Sequence, residues 1–380
     1  MNIQSKLPDV GTNIFSVMSA LANQHNAINL SQGFPDFDCP EELQNRVNSH
    51  LKNGKNQYVP MAGVLLLREQ LAQKMEHAYG TPINPDSEIT ITAGATQGLF
   101  TAITAFVHSG DEVILIEPAY DSYRPAIELA GGIPVIYELH GPNYQINWEQ
   151  FGQLISSKTK MIIINTPHNP IGKVRSAADM QTLERLTDGT DILVLSDEVY
   201  EHLIYDGQLH QSVLRFPKLY KRSLIVYSFG KTFHSTGWKM GYCVAPELLM
   251  REFRKVHQFN VFSCNSFVQY GIADYLENPE HYQQLPAFYQ QKRDFFQSEL
   301  AGSALKPLSS EGSYFQLYDY SAVSDLPDTE FAKYLTTEIG VAVIPVSAFY
   351  SSGRDEKVVR FCFAKKEATL AAAGRLLRGL

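Results

Sequence analysis

The segment Ser228-Phe-Gly-Lys-Thr-Phe-His-Ser-Thr-Gly-Trp-Lys-Met-Gly-Tyr242 lies between two apolar runs, Leu224–Tyr227 and Tyr242–Ala245. Both runs read as buried strands. Lys231 thus follows closely on a buried strand, with Ser228 and Thr232 beside it. A lysine so placed faces a pocket, where desolvation strips its charge and makes it an amine nucleophile. Gly230-Lys231-Thr232 also has the ending of a phosphate-binding loop, but that motif requires glycine at position 225, and Ile225 stands there. Taken alone, Lys231 favours a polar surface turn. The rest of the chain decides between these readings.

Short apolar runs alternate with helical patterns from residue 88. Strands are expected at 88–92, 112–116, 134–136, 161–164, 192–195 and 224–227, with helices after Gly94, near 121–130, at 147–156 and at 176–188. That alternation predicts an α/β fold with a mostly parallel central sheet covered on both faces. Ligands then gather at the carboxyl ends of its strands. Before it come an amphipathic helix over 12–27, a strand at 28–30, two stretches broken by glycine and proline at 31–37 and 56–63, and a helix over 64–79. Beyond residue 247 the pattern is helical, with a long polar segment at 280–300. Strands at 313–317, 341–344 and 358–363 and a last helix from Glu367 form a second group. The expected organisation is a large domain over 30–270 and a smaller α+β domain from 1–29 and 271–380.

The 380 residues carry a net charge of −8, which disfavours nucleic acid and anionic membrane as partners. The four cysteines show no C-x-x-C pair, so neither a disulfide framework nor a metal site is expected. The first residues lack the apolar stretch of a secretory signal, and no run is long enough to span a membrane; a cytoplasmic location is expected.

Several strand ends carry groups with chemistry. Asp197, in Ser196-Asp-Glu-Val-Tyr200, can pair with a protonated pyridine nitrogen or cap a helix. Asn165-Thr-Pro-His-Asn-Pro-Ile-Gly172 is an extended turn, whether plain or built to present an amide. Gly94-Ala-Thr-Gln97 opens a helix whose free N–H groups favour phosphate, as any strand-to-helix turn does. Glu117-Pro-Ala-Tyr120-Asp-Ser-Tyr123 offers an aromatic ring for stacking or for the core. Arg360 stands in the apolar strand Val358–Phe363, where it needs an anion: a ligand carboxylate or an internal salt bridge.

Ser228-x-x-Lys231 followed by Gly237-Trp-Lys239-Met-Gly241-Tyr resembles the cofactor segment of the fold type I, class I/II aminotransferases. The other motifs follow in that family's order from about residue 12 to 370. Lys239 stands where many members have arginine, and Thr166 opens the N-P-x-N-P-x-G motif in place of asparagine. Lys239 and the Thr-Pro opening are both features of the kynurenine and methionine aminotransferase branch. The resemblance implies pyridoxal phosphate held by Lys231 as a Schiff base, with Lys231 later acting as the base at the substrate's Cα. It places Ser228, Lys239, Ala95, Thr96 and Gln97 on the phosphate, Asp197 on the pyridinium nitrogen, Tyr200 and Asn169 on the ring oxygen, and Tyr120 on the ring face, with Asn165 assisting. Arg360, Gly33 and Asn169 would bind substrate, Arg360 and Gly33 at its α-carboxylate. Phe15, Tyr58, Tyr120 and Phe262 would shape the side-chain pocket. Tyr58 would reach the phosphate of a neighbouring subunit, implying a homodimer with shared active sites. His168 is given no role.

The implied activity moves the amino group of methionine and other large neutral or aromatic L-amino acids to a 2-oxo acid. Aromatic walls suit such side chains, and no second arginine offers itself for an acidic one. Two alternatives are a kynurenine/glutamine-type enzyme with β-lyase activity on cysteine conjugates, and a non-catalytic regulator on the same fold. The second would need an added DNA-binding domain that this chain has no room for.

Overall fold

Seven strands build the central sheet in the computed structural model, which describes residue 1 and residues 3–380. A two-residue strand β1 (Ile28–Asn29) precedes them. The seven are β2 (Ile89–Thr92), β3 (Glu112–Glu117), β4 (Ile133–Glu138), β5 (Thr159–Asn165), β6 (Leu193–Asp197), β7 (Ser223–Ser228) and β8 (Gly241–Val244). Their order is β2-β8-β7-β6-β5-β3-β4, and only β8 runs against its neighbours. The continuous apolar runs follow from burial on both faces. Val113, Leu115, Met161, Ile163, Leu224 and Val226 pack on one face, while Ile114, Ile116, Ile162, Ile164, Ile225 and Tyr227 pack on the other.

The chain runs outward from β3 to β4, then returns to place β5 on the other side of β3 and continues outward through β6 and β7. The carboxyl ends of β3 and β5 therefore border the point where the winding reverses, the place where open sheets of this kind leave a crevice.

Helix α1 (Ile14–His25) is capped by the Asn13 side chain, which accepts from the Ser16 N–H at 2.8 Å. Helix α2 (Glu41–Lys52) is an element that the reading of the sequence leaves unassigned. It buries only Leu43 and Val47, so its apolar stripe is thin. It packs on helix Ser266–Leu276, where a Cβ on Gly271 would lie 2.4 Å from Val47. Helix α3 (Leu65–Tyr79) packs on that same helix, and α4 (Ala95–Phe106) follows β2.

The later residues form a four-stranded antiparallel sheet, β12-β13-β10-β9, from β9 (Lys306–Pro307), β10 (Phe315–Asp319), β12 (Ile344–Pro345) and β13 (Val358–Cys362). β10 starts at Phe315 rather than Ser313, because Ser313 takes a left-handed turn (φ 63°). The expected strand over 341–344 divides into β11 (Val341–Ala342) and β12, and β11 pairs with β1 in parallel. Among the described residues no helix is long and apolar enough to cross a membrane.

Candidate active site

The carboxyl ends of β2, β3, β5, β6 and β7 open into a cavity of about 420 Å³ that also takes residues from α1, the segment after β1, β10 and β13. At one end lies the start of α4. Gly94 (φ 77°) is its N-cap and offers no side-chain acceptor. The first N–H groups of the helix, at Ala95 and Thr96, therefore face the cavity without an intrahelical partner. Ser228 and Lys239 line the same end. Gly241 lets these parts close up, since a Cβ there would lie 2.6 Å from the Tyr227 carbonyl oxygen and 2.9 Å from the Ala95 nitrogen. The Gln97 side chain, expected here, is turned away. It donates to Thr101 at 2.6 Å, contacts His257 at 3.2 Å and accepts from the Ala93 N–H, which leaves only its backbone N–H for the helix start.

In the middle, Asp197 ends β6 and is buried. Its carboxylate accepts from the Tyr123 hydroxyl at 2.6 Å and from the Val199 N–H at 3.3 Å. Burial raises its pKa to about 6 despite those two donors. Asn165 ties the neighbouring strand end to it, donating to the Asp197 carbonyl at 2.9 Å and accepting from the Asn169 N–H at 2.7 Å. Tyr200 and Tyr120 flank this region, and the Tyr120 hydroxyl lies 3.4 Å from that of Thr96. His168 is buried and does not line the cavity.

Lys231 comes from the single helical turn Phe229–Thr232 after β7. Its Nζ donates to the Tyr314 hydroxyl at 2.8 Å and to the Gly33 carbonyl at 3.1 Å. Burial pushes its pKa down to about 8, helped by the Arg360 and Lys239 charges and opposed by Asp197. The neutral amine is the nucleophile, so condensation of Lys231 with an aldehyde is expected to rise with pH to a midpoint near 8 and then level off. Rates of imine formation measured from pH 6 to 11 check this; a midpoint above 10, as for an ordinary lysine, would contradict the buried placement.

Opposite Lys231, Arg360 is fully buried in β13. Its guanidinium donates to Asn169 Oδ1 at 2.8 Å and to the Ser31 carbonyl at 2.9 Å, and lies 3.8 Å from the centre of the Phe315 ring. Phe15 and Phe349 close the other sides. Nε has no acceptor, and among the described residues no carboxylate forms a salt bridge with it. Burial lowers its pKa to about 10, so it stays a cation. An internal salt bridge, one reading of this residue, is thereby replaced by a cation held ready for an anion. Gly33 lines the cavity, and a Cβ there would strike Phe315 at 2.9 Å. Tyr58 and Phe262 do not line this cavity. They are 82% and 48% exposed and meet edge to face at 5.3 Å. Tyr123 and Tyr314 are central to the geometry, contacting Asp197 and Lys231, and no periodic signal in the sequence marks them.

Residues 25–376 match the family model for aminotransferase class I and II. The chain belongs to this family. It is 54% identical over 378 residues to the methionine aminotransferase of Escherichia coli (strain K12), covering 99% of this chain and 98% of that protein. It is 36% identical over 395 residues to kynurenine--oxoglutarate transaminase 1 of Homo sapiens, covering 94% and 93%. Among solved structures it is similar to YbdL from Escherichia coli, reported with a methionine aminotransferase function (TM-score 0.98, 54% identity, all of both chains). It is also similar to the N-succinyldiaminopimelate aminotransferase of Mycobacterium tuberculosis (TM-score 0.95, 32% identity, all of both chains).

Class I and II aminotransferases depend on pyridoxal phosphate, and the cavity fits that group. An uncapped helix start beside Lys239 suits a phosphate, a buried carboxylate suits a pyridinium, and a buried amine of lowered pKa lines the same cavity.

Proposed function

We propose that this aminotransferase binds pyridoxal phosphate on Lys231 and moves the amino group of methionine and other large neutral or aromatic L-amino acids to a 2-oxo acid. The observation that carries the reading is the buried Arg360, without an internal carboxylate, across one cavity from the amine of Lys231. The distance between a bound α-carboxylate and Cα is short, so a clamp on the first presents the second to the base.

When bound, the cofactor supplies a ring that takes up the electrons left as the Cα proton departs. The chain's residues do the rest. Ala95, Thr96, Ser228 and Lys239 hold the phosphate. Asp197 keeps a negative charge at the ring-nitrogen end, oriented by Tyr123. Tyr200 and Asn169 serve the ring oxygen, and Tyr120 covers a ring face. Arg360, steadied by Asn169, fixes the substrate carboxylate, and Lys231 takes and returns the proton at Cα. Phe15 and Phe315 give the pocket an aromatic wall, and Arg360 is the only arginine lining it among the described residues. That composition supports uncharged side chains over acidic ones.

The same reading makes the enzyme a homodimer. The exposure of Tyr58 and Phe262, outside their own cavity, supports their service to the site of the other subunit. A second reading is a kynurenine/glutamine-type enzyme, which relatives named as kynurenine--oxoglutarate transaminases support weakly at 33–36% identity, with β-lyase activity on cysteine conjugates because the same carbanion can expel a β-thiol.

The test is the visible spectrum of the purified protein before and after L-methionine, with no oxo acid present. The band of the lysine-bound cofactor is expected, and methionine is expected to convert it to that of the amine form. A band that methionine leaves unmoved overturns the substrate assignment. No band after added pyridoxal phosphate overturns the reading of Lys231. A donor panel including kynurenine, with pyruvate and ammonia measured from a cysteine conjugate, decides for or against the second reading.

A further inference from the structure

Tyr314 belongs to no motif discussed above, yet its hydroxyl is in direct contact with the amine of Lys231. The side chain is fully buried, with its ring edge to face on Tyr200 at 5.1 Å and on Phe315 at 4.9 Å. Its backbone is pinned on both sides. The Ser313 N–H donates to the Leu203 carbonyl at 2.9 Å, and the Phe363 N–H donates to the Tyr314 carbonyl at 3.0 Å. Gly312, just before, has no room for a side chain, since a Cβ would lie 2.7 Å from the Leu203 carbonyl oxygen. The hydroxyl is thus held in place by the fold rather than by the lysine.

A tyrosine hydroxyl has one proton to give. That of Tyr314 goes to the Gly33 carbonyl. Its oxygen is then left to accept, and it accepts from Lys231 Nζ at 2.8 Å. The same Gly33 carbonyl accepts from Lys231 as well, at 3.1 Å. The amine therefore faces two acceptors on a rigid frame, one of them set by the segment that follows β1.

We infer that Tyr314 is a positioning residue for Lys231: with the Gly33 carbonyl it holds the amine whenever it is not covalently engaged, and keeps it in reach of the substrate's Cα. The inference rests on the function proposed above. An acceptor hydroxyl favours the protonated amine, so Tyr314 also strengthens Lys231 as a base. The charged groups acting on Lys231 from the surrounding elements are Arg360 and Lys239, which oppose its protonation, and Asp197, which favours it. Cys362, Tyr200 and Tyr314 are the remaining titratable neighbours. Burial keeps Tyr314 itself protonated.

The test is Tyr314→Phe, which keeps the ring and removes the hydroxyl. In the full chain freed of cofactor, acetylation of Lys231 by acetic anhydride is followed by mass spectrometry across pH. The midpoint is expected to fall by about one pH unit relative to the unaltered chain. In the loaded enzyme, exchange of the α-proton of L-methionine with solvent is expected to slow by about tenfold, with an unchanged melting temperature. An unchanged acetylation midpoint overturns the inference, even if exchange slows, since that pattern is mere packing. Should Tyr314→Phe fail to fold, 3-fluorotyrosine at position 314 weakens the acceptor without changing the shape, and the midpoint must still move down; no movement overturns the inference. The acetylation readout needs neither cofactor nor substrate, so it separates failure here from failure of the proposed function.

Discussion

Lys231→Ala is expected to lower kcat by roughly 10⁴-fold or more, because one change removes both the proposed anchor of the cofactor and the proposed base at Cα. The residue is irreplaceable by its surroundings. The other lysine of the cavity, Lys239, faces the helix start, and Arg360 cannot give up a proton. Tyr314, the nearest hydroxyl, is held protonated by burial. The variant should fold, since alanine relieves a buried ammonium whose pKa is already depressed by desolvation. In the folded chain the amine loses its proton near pH 8, below its ordinary value, so burial costs stability below that pH and the cost fades as pH rises above it. Steady-state assays with an L-methionine and 2-oxo acid pair, together with the visible spectrum, check the prediction. Substantial turnover in the variant would sink the assignment of Lys231.

Arg360→Ala is expected to reduce kcat/KM for amino acids by about 100- to 1,000-fold, carried mainly by KM. The guanidinium is sealed by Phe315, Phe15 and Phe349 and donates to Asn169 and the Ser31 carbonyl, so its orientation is fixed before any substrate arrives. Arg360→Lys should recover little, because an ammonium cannot present two parallel donors to a carboxylate. Loading with pyridoxal phosphate should survive in both variants, since Lys231, Lys239 and the start of α4 make no hydrogen bond to Arg360, and of the groups proposed for the cofactor only Asn169 does. An unaltered KM in Arg360→Ala would remove Arg360 from substrate binding. A lost cofactor band would mean that its role is structural.

Much of this architecture is legible in the residues, for a physical reason. Strands buried on both faces leave long apolar runs, and groups such as Asp197, Asn165 and Ser228 stand at the ends of those runs, where the topology gathers ligands. What the sequence does not display is direction and partnership. Gln97 sits where a phosphate contact is expected, yet its amide finds Thr101 and His257 on the other side of the helix. Tyr123 and Tyr314 carry no periodic signal; their importance comes from contacts with Asp197 and Lys231 across 74 and 83 residues. Helix α2 escapes notice because its apolar stripe is only Leu43 and Val47. The exposure of Tyr58 and Phe262 belongs to the folded surface and has no signature in composition.

The pairing of β1 with β11 also bears on how the enzyme is made. The residues that leave the ribosome first wait longest for their partners. The Ser31 carbonyl meets Arg360 only 329 residues later, and the Gly33 carbonyl meets Lys231 after 198. At about 5–20 residues per second, the wait for Arg360 lasts tens of seconds. The nascent chain completes its seven-stranded sheet by Val244, well before β13 exists. The carboxylate clamp proposed at Arg360 is therefore a late product of translation, and a chain released early would hold the amine of Lys231 without it.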